Sequence, residues 1–98
     1  MRKITKQATQ AFMEARPFKS SNTKVEVLPN CTILKLHNNA IAYRYNDPEQ
    51  TLSITNSGWQ SNTTKERLNG IDGVRISQSK GKWYLNGNEW DGKLIDIK

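Results

Sequence analysis

Residues 24–55 alternate apolar and polar side chains, and this period of two restricts that stretch of the chain to β-strands. The turn signals "LPN" at 28–30 and "NN" at 38–39 divide the alternation into shorter runs. A loop, "NDPEQ", then precedes a fourth run, "TLSIT" at 51–55. We therefore predict an antiparallel meander over residues 24–55, with Leu52 and Ile54 facing inward.

The turns also predict how the strands pair. Two-residue loops at Pro29-Asn30 and Asn38-Asn39 give the pairs Val25–Leu34, Val27–Thr32, Leu36–Ile41, Leu34–Tyr43 and Thr32–Tyr45. All the large apolar side chains of these pairs then share one face. A slip of one residue would move a whole strand's side chains to the other face, so this agreement supports the register.

A second meander is predicted over residues 73–91. Asn86-Gly87 is typical of a type I′ hairpin loop, and it places Trp83 opposite Trp90. A turn at Lys80-Gly81 adds Ile76 opposite Leu85, on the same face as the tryptophans. We expect the tryptophan pair to belong to the core and Tyr84, on the other face, to be the more exposed ring.

Two helices complete the prediction. Residues 2–15 carry a narrow apolar stripe with spacings of three and four, and Pro17 ends the helix; "KSSNT" then reads as a loop. A short helix at 63–70 has a capping box, Thr63 with Glu66, and Gly70 as its stop. The fold class is α+β, with a basic helical arm at 1–19 and a single α+β domain at 20–98.

The positive charge is concentrated at the start of the chain. Residues 1–24 hold six basic side chains against Glu14 alone, which is +5 of the chain's net charge of +6. Basic segments of this kind often contact polyanions, and they also often serve only as a solvated face.

The sequence argues against catalysis, metal binding and membrane insertion. There is one cysteine, Cys31, and one histidine, His37, on the same predicted strand but too far apart to touch. The glycines read as turns and form no phosphate-binding loop. We expect no enzyme activity, no cofactor and no metal.

No stretch approaches the roughly 20 apolar residues of a membrane span. The charged start of the chain has no apolar segment of a signal peptide behind it, so we expect a cytoplasmic protein.

Three segments resemble a family of small uncharacterised proteins of tailed bacteriophages. They are "SSNTKVEV" at 20–27, "GWQSNTTKERLN" at 58–69 and "WYLNGNEWDG" at 83–92. The resemblance extends over roughly residues 20–92 and implies a phage protein in the cytoplasm of an infected bacterium. It brings no activity and no catalytic residues with it.

The function predicted first is binding of DNA or RNA without sequence preference. Cationic side chains would contact phosphates, and exposed rings would stack on bases. The residues predicted for this role are Arg2, Lys3, Lys6, Arg16, Lys19, Lys24, Lys65 and Arg67, with the rings of Trp59 and Tyr84. One alternative is an antagonist that inhibits a bacterial host or defence enzyme, since rings and arginines also form interface hot spots. A weaker alternative is a sponge for a nucleotide signal, built on "SSNT" and "NTTK". The narrow helix stripe and small core also fit a homodimer.

Overall fold

The computed structural model describes residues 2–97, which form two helices and nine strands in two antiparallel sheets. The α+β class is therefore confirmed. A main sheet has the order β1-β2-β3-β4-β5-β9, and a small sheet has the order β6-β7-β8. The elements are α1 Lys3–Met13, β1 Phe18–Ser20, β2 Thr23–Val27, β3 Cys31–Leu36, β4 Asn39–Tyr45, β5 Leu52–Ile54, α2 Asn62–Leu68, β6 Ile76–Ser79, β7 Lys82–Leu85, β8 Asn88–Trp90 and β9 Ile95–Asp96.

Both edge strands of the main sheet, β1 and β9, were missed by the sequence prediction. β1 lies partly in "KSSNT", which was read as a loop, and it pairs Phe18 with Val25 so that the Phe18 ring packs on the core. β9 pairs Ile95 with Ile54 and Asp96 with Ser53. Strands of two or three residues are too short to show an alternating pattern, so only the neighbouring strand reveals them.

The predicted register is confirmed for β2 with β3, where Val25 pairs with Leu34, but it is wrong for β3 with β4. The loop is His37-Asn38, with φ angles of 52° and 64°, as a type I′ turn requires. A bulge at Leu34/Lys35 shifts the pairing again. Ala42 therefore takes the inward position opposite Leu34, and Tyr43 and Tyr45 move to the opposite face.

The small sheet has the predicted register. Trp83 pairs with Trp90 across the Asn86-Gly87 loop, and Ile76 pairs with Leu85. The two indoles are 2% and 7% exposed, with ring centroids 6.1 Å apart, so they belong to the core as expected.

Helix α1 is part of the core and not an arm. Its side chains Ala8, Ala11 and Phe12 are fully buried, and the helix packs on β1, β2, β3 and α2. Gly70 shows how closely it packs, because a Cβ atom at Gly70 would lie 2.6 Å from Cγ2 of Thr5. Within the described residues there is one hydrophobic core, to which the segments on both sides of the predicted boundary at residue 19 contribute.

Helix α2 begins differently from the prediction. Ser61 is the N-cap, and its hydroxyl accepts a hydrogen bond of 3.2 Å from the backbone N–H of Thr64. Thr63 is thus inside the helix, and Glu66 has no capping role. The carboxylate of Glu66 instead accepts hydrogen bonds from the Thr5 hydroxyl and from the backbone N–H of Arg2.

The guanidinium of Arg67 joins three elements of the fold. Arg67 is 2% exposed. Its Nη1 donates to the Thr5 hydroxyl of α1 at 2.8 Å and to the Glu66 carboxylate at 2.6 Å. Its Nε donates to the Thr23 hydroxyl of β2 at 3.0 Å. A buried charge is costly unless it is paired and hydrogen-bonded, so these partners are needed for the packing of α1, α2 and the main sheet.

Acid titration tests this network through Glu66. Burial acts to raise the pKa of Glu66, but hydrogen bonds from Thr5 and Arg2 and the charge of Arg67 outweigh it and hold the pKa below 4.5. A lowered carboxyl pKa stabilises the fold above the pKa of the unfolded state, and this contribution is lost as the pH falls through the folded pKa. Glu66→Gln should therefore be less stable than the wild type at pH 7, and the difference should shrink below pH 4.5.

Urea unfolding at a series of pH values measures this difference. The matched control, Glu49→Gln, removes an exposed carboxylate and should change the free energy of unfolding at neutral pH by less than about 0.5 kcal/mol. A difference between wild type and Glu66→Gln that stays constant into acid would contradict the ionic role of Glu66.

Candidate nucleic-acid interface

The β3–β4 turn separates two clefts at one end of the main sheet. The first, here called the lysine cleft, has a volume of about 290 Å³. Its lining is polar and consists of Lys19, Ser21, Asn22, Thr23, Lys24, His37 and Asn38. Lys19 and Lys24 are direct cross-strand partners on β1 and β2, so their ammonium groups extend from the same face of the sheet.

The second, here called the tryptophan cleft, has a volume of about 220 Å³. Leu36 and Ile41, both buried, give it apolar walls. The other lining residues are His37, Asn56, Trp59, Ser61, Thr63 and Thr64. Trp59 is 61% exposed, the most exposed of the large hydrophobic side chains in residues 2–97. Because His37 lines both clefts, they adjoin each other at this residue. We call the surface formed by Lys19, Asn22, Lys24, His37 and Trp59 the rim.

A buried amide holds the backbone around Trp59. Asn56 is 7% exposed, and its side-chain oxygen accepts a hydrogen bond of 2.8 Å from the N–H of Gly58. The carbonyl of Asn56 accepts one from the N–H of Trp59, also at 2.8 Å. Gly58 has φ +84°, which a residue with a side chain adopts only under strain. The loop backbone is thus fixed while the indole itself projects into solvent.

Hydrogen bonds link the lysine side of the rim to the buried side chain of Arg67. Thr23, which accepts from Arg67, donates to the side-chain oxygen of Asn22 at 2.9 Å. The amide nitrogen of Asn22 lies 3.5 Å from Nε2 of His37. The buried guanidinium is thus linked through Thr23 to Asn22, whose backbone carbonyl accepts a hydrogen bond of 2.8 Å from the N–H of His37.

One carboxylate partly neutralises the lysines. Glu26 lies 2.6 Å from Nζ of Lys35 and 3.1 Å from Nζ of Lys24. The hydrogen bonds from Lys35 and then Lys24 hold the pKa of Glu26 below its ordinary value. Lys19 forms no ion pair with any residue in 2–97. Counting Lys19, Lys24 and Lys35 against Glu26, this end of the sheet carries a net charge of +2.

Of the predicted site residues, Lys19, Lys24 and Trp59 lie at the rim. Arg2 lines a small cleft of about 140 Å³ with Thr63, which also lines the tryptophan cleft, so Arg2 lies next to the rim. Lys3 and Lys6 are exposed on α1. Lys6 lines a different cleft, together with the loop at 70–75.

The remaining predicted residues lie apart from the rim. Arg16 pairs with Glu14 at 3.1 Å, and Lys65 donates to the side chain of Gln78 at 3.1 Å. Tyr84 is half-buried on the small sheet and lines neither cleft. For Arg67 the prediction is wrong, because its guanidinium is buried and bound to protein groups.

The sequence analysis did not assign His37 or Asn56 to a nucleic-acid site, and it included Asn22 only within "SSNT", in the weaker alternative of a nucleotide sponge. Asn56 reads as a loop residue, and the pattern of His37 with Cys31 argued only against catalysis and metal binding. The only signal in the sequence was the turn at 37–39. In the structure the turn residues are His37 and Asn38, both with positive φ, and this places His37 between the clefts. That turn became identifiable only with the correct register.

Within residues 2–97 no three His, Cys, Asp or Glu side chains cluster as metal ligands. Neither helix in that range is long and apolar enough to cross a membrane. A wider cleft of about 530 Å³ is lined by Arg44, Asp72 and apolar side chains, and it contains none of the predicted site residues.

The chain matches one known family over nearly its whole length. Residues 1–95 match the family described as Kyanoviridae Gp96 protein, so the match includes α1, which the resemblance over 20–92 did not. No curated protein and no solved structure matches the chain. The resemblance to small phage proteins is confirmed at the level of the family. The chain belongs to the Kyanoviridae Gp96 family of small bacteriophage proteins.

Proposed function

We propose that this phage protein binds nucleic acid at the rim. The observation that supports the proposal most strongly is the position of His37, which lines both the lysine cleft and the tryptophan cleft. Cations that can contact phosphates are therefore continuous with an exposed ring that can stack on a base. Each feature alone is also common on ordinary protein surfaces, and it is their junction at one residue that supports the proposal.

The shape of the tryptophan cleft favours a single strand over a duplex. Bases in a duplex are stacked and paired, so a ring in a concave cleft reaches only an unpaired base. Trp59 supplies the stacking surface, and the hydroxyl of Thr63 can exchange hydrogen bonds with a base edge. Stacking is tolerant of base identity, so we expect weak sequence preference.

The charges on α1 have a different role from the one predicted for an arm. Because α1 is packed in the core, Lys3 and Lys6 cannot wrap around a nucleic acid. They contribute instead to the positive field of a chain with net charge +6, which attracts a polyanion before contact. Direct phosphate contacts are assigned instead to the rim lysines, Lys19 and Lys24, and to the neighbouring Arg2 and Lys35.

Protein antagonism is a second candidate function, favoured by the exposed edge at β9. Leu94 and Ile95 are 58% and 41% exposed beside an unpaired strand edge, where a partner protein can add a strand. If so, a host protein should remain bound to the tagged chain in nuclease-treated infected lysate, and Ile95→Lys should release it. The rim variant Lys19→Gln, as the control, should retain that protein; its release by both variants would count against binding at this edge.

Salt titration tests the phosphate contacts. Contacts by three or four of Arg2, Lys19, Lys24 and Lys35 should give a slope of log affinity against log salt of about −2 to −3 on a single strand. The double variant Lys19→Gln/Lys24→Gln removes two contacts, so the slope should flatten by about 1.4. Fluorescence anisotropy with a labelled oligonucleotide measures both values.

The control for the salt titration is Lys6→Gln/Lys93→Gln, which lowers the net charge equally but changes neither cleft. It should leave the slope nearly unchanged. Equal flattening in both double variants would show that the cations act only through net charge. No binding to any oligonucleotide at about 50 mM salt would reject the proposed function altogether.

Replacing the exposed ring tests stacking. Trp59→Ala should weaken binding to a single strand by about 1–3 kcal/mol and binding to a duplex much less. Because the indole is 61% exposed, the melting temperature should change little. Tyr84→Ala is the matched aromatic control and should bind like the wild type. Equal losses on single strand and duplex would exclude base stacking by Trp59.

A further inference from the structure

The outer face of the main sheet continues from the rim. The outer face is defined as the side opposite α1, since α1 packs over Val25 and Leu34 on the inner side. The register places one row of lysines across β1, β2 and β3 on the outer face, in the order Lys19, Lys24, Lys35. Lys19 and Lys24 also line the lysine cleft, so the row and the rim share residues.

The next row changes from a carboxylate on β2 to an apolar side chain on β3 and an aromatic ring on β4. Ile33 lies between Glu26 on one side and Tyr43 on the other. Two residues along a strand correspond to about 7 Å, so Tyr43 lies one such step from the row of lysines, and Tyr45 lies one step further. Measured along the strands, the outer face thus changes from cationic to aromatic within two such steps of the row of lysines, or about 14 Å.

The two tyrosines form a stacked pair. Their ring centroids are 6.1 Å apart, with the ring planes only 9° from parallel. Both rings are half-buried, and both helices pack elsewhere, α1 on the inner side and α2 against α1 and β4. Parallel, partly exposed rings on an open sheet, next to lysines, can stack successive unpaired bases while the cations contact the phosphates.

We propose that a single-stranded nucleic acid bound at the rim continues across the outer face and stacks its bases on Tyr43 and Tyr45. This inference rests on the proposed function and extends it to a longer site on unpaired strands. Charge complementarity favours this occupant, since the three lysines of the row outnumber the two carboxylates that the register places on this face, Glu26 and Asp96. A second copy of the chain on this face would bring another row of lysines, and like charges would oppose it.

Oligonucleotide length separates the extension from the rim. A strand of about four nucleotides can occupy the rim alone, and one of about twelve can also reach the tyrosines, given site sizes of about 4–16 nucleotides for such surfaces. Tyr43→Ala/Tyr45→Ala should weaken binding of the longer strand by about tenfold or more and leave the shorter strand within about twofold. Trp59→Ala should weaken both lengths. Tyr43→Phe/Tyr45→Phe keeps the rings and should restore binding of the longer strand.

Tyrosine nitration on the wild-type protein gives a second measurement that needs no substitution. The longer strand should protect Tyr43 and Tyr45 from nitration, with Tyr84 as the unprotected internal control. Equal loss of both lengths in the alanine variant, or no protection by the longer strand, would overturn the extension while leaving the rim intact. Failure of the wild type to bind either length would instead reject the proposed function. Self-association of the wild type through these tyrosines, seen by light scattering and abolished in the alanine variant, would also overturn it.

Discussion

The buried guanidinium of Arg67 is the interaction on which the rest of the structure depends. It holds α1 through Thr5 and the main sheet through Thr23, and it compensates Glu66 within its own helix. Because Thr23 in turn binds Asn22, the same network reaches His37 at the surface. A buried cation is therefore linked, through protein side chains, to groups that we propose as contacts for a nucleic acid.

The β3–β4 connection decides what the two faces of the sheet can do. The loop at His37-Asn38 places the imidazole between the two clefts. The bulge after Leu34 then allows Ala42 to fill the core, so that Tyr43 and Tyr45 face outward. With a loop one residue later, both tyrosines would be in the core and the outer face would be polar. The turn and the bulge together thus place His37 between the clefts and the tyrosines on the outer face.

The sequence was sufficient wherever a local pattern is strong. Alternation predicted the meander, and Asn86-Gly87 predicted the tryptophan pairing, because a type I′ turn fixes the register of a short hairpin. It was not sufficient where tertiary contacts decide. Asn38-Asn39 and His37-Asn38 both suit a turn, and only packing of the core selects between them. Arg67 reads as a surface cation, since its hydroxyl partners are 44 and 62 residues away in the chain.

Chemical-shift mapping by NMR tests the central claim, that nucleic acid binds at the rim, without assuming which residues take part. Titration of the ¹⁵N-labelled protein with an unstructured oligonucleotide should shift the indole N–H of Trp59 and the amides around His37 and at 19–24. The indole signals of Trp83 and Trp90, which are buried in the small sheet, should stay in place. Shifts confined to the small sheet or to the solvent side of α1, with the Trp59 signal unmoved, would contradict the account.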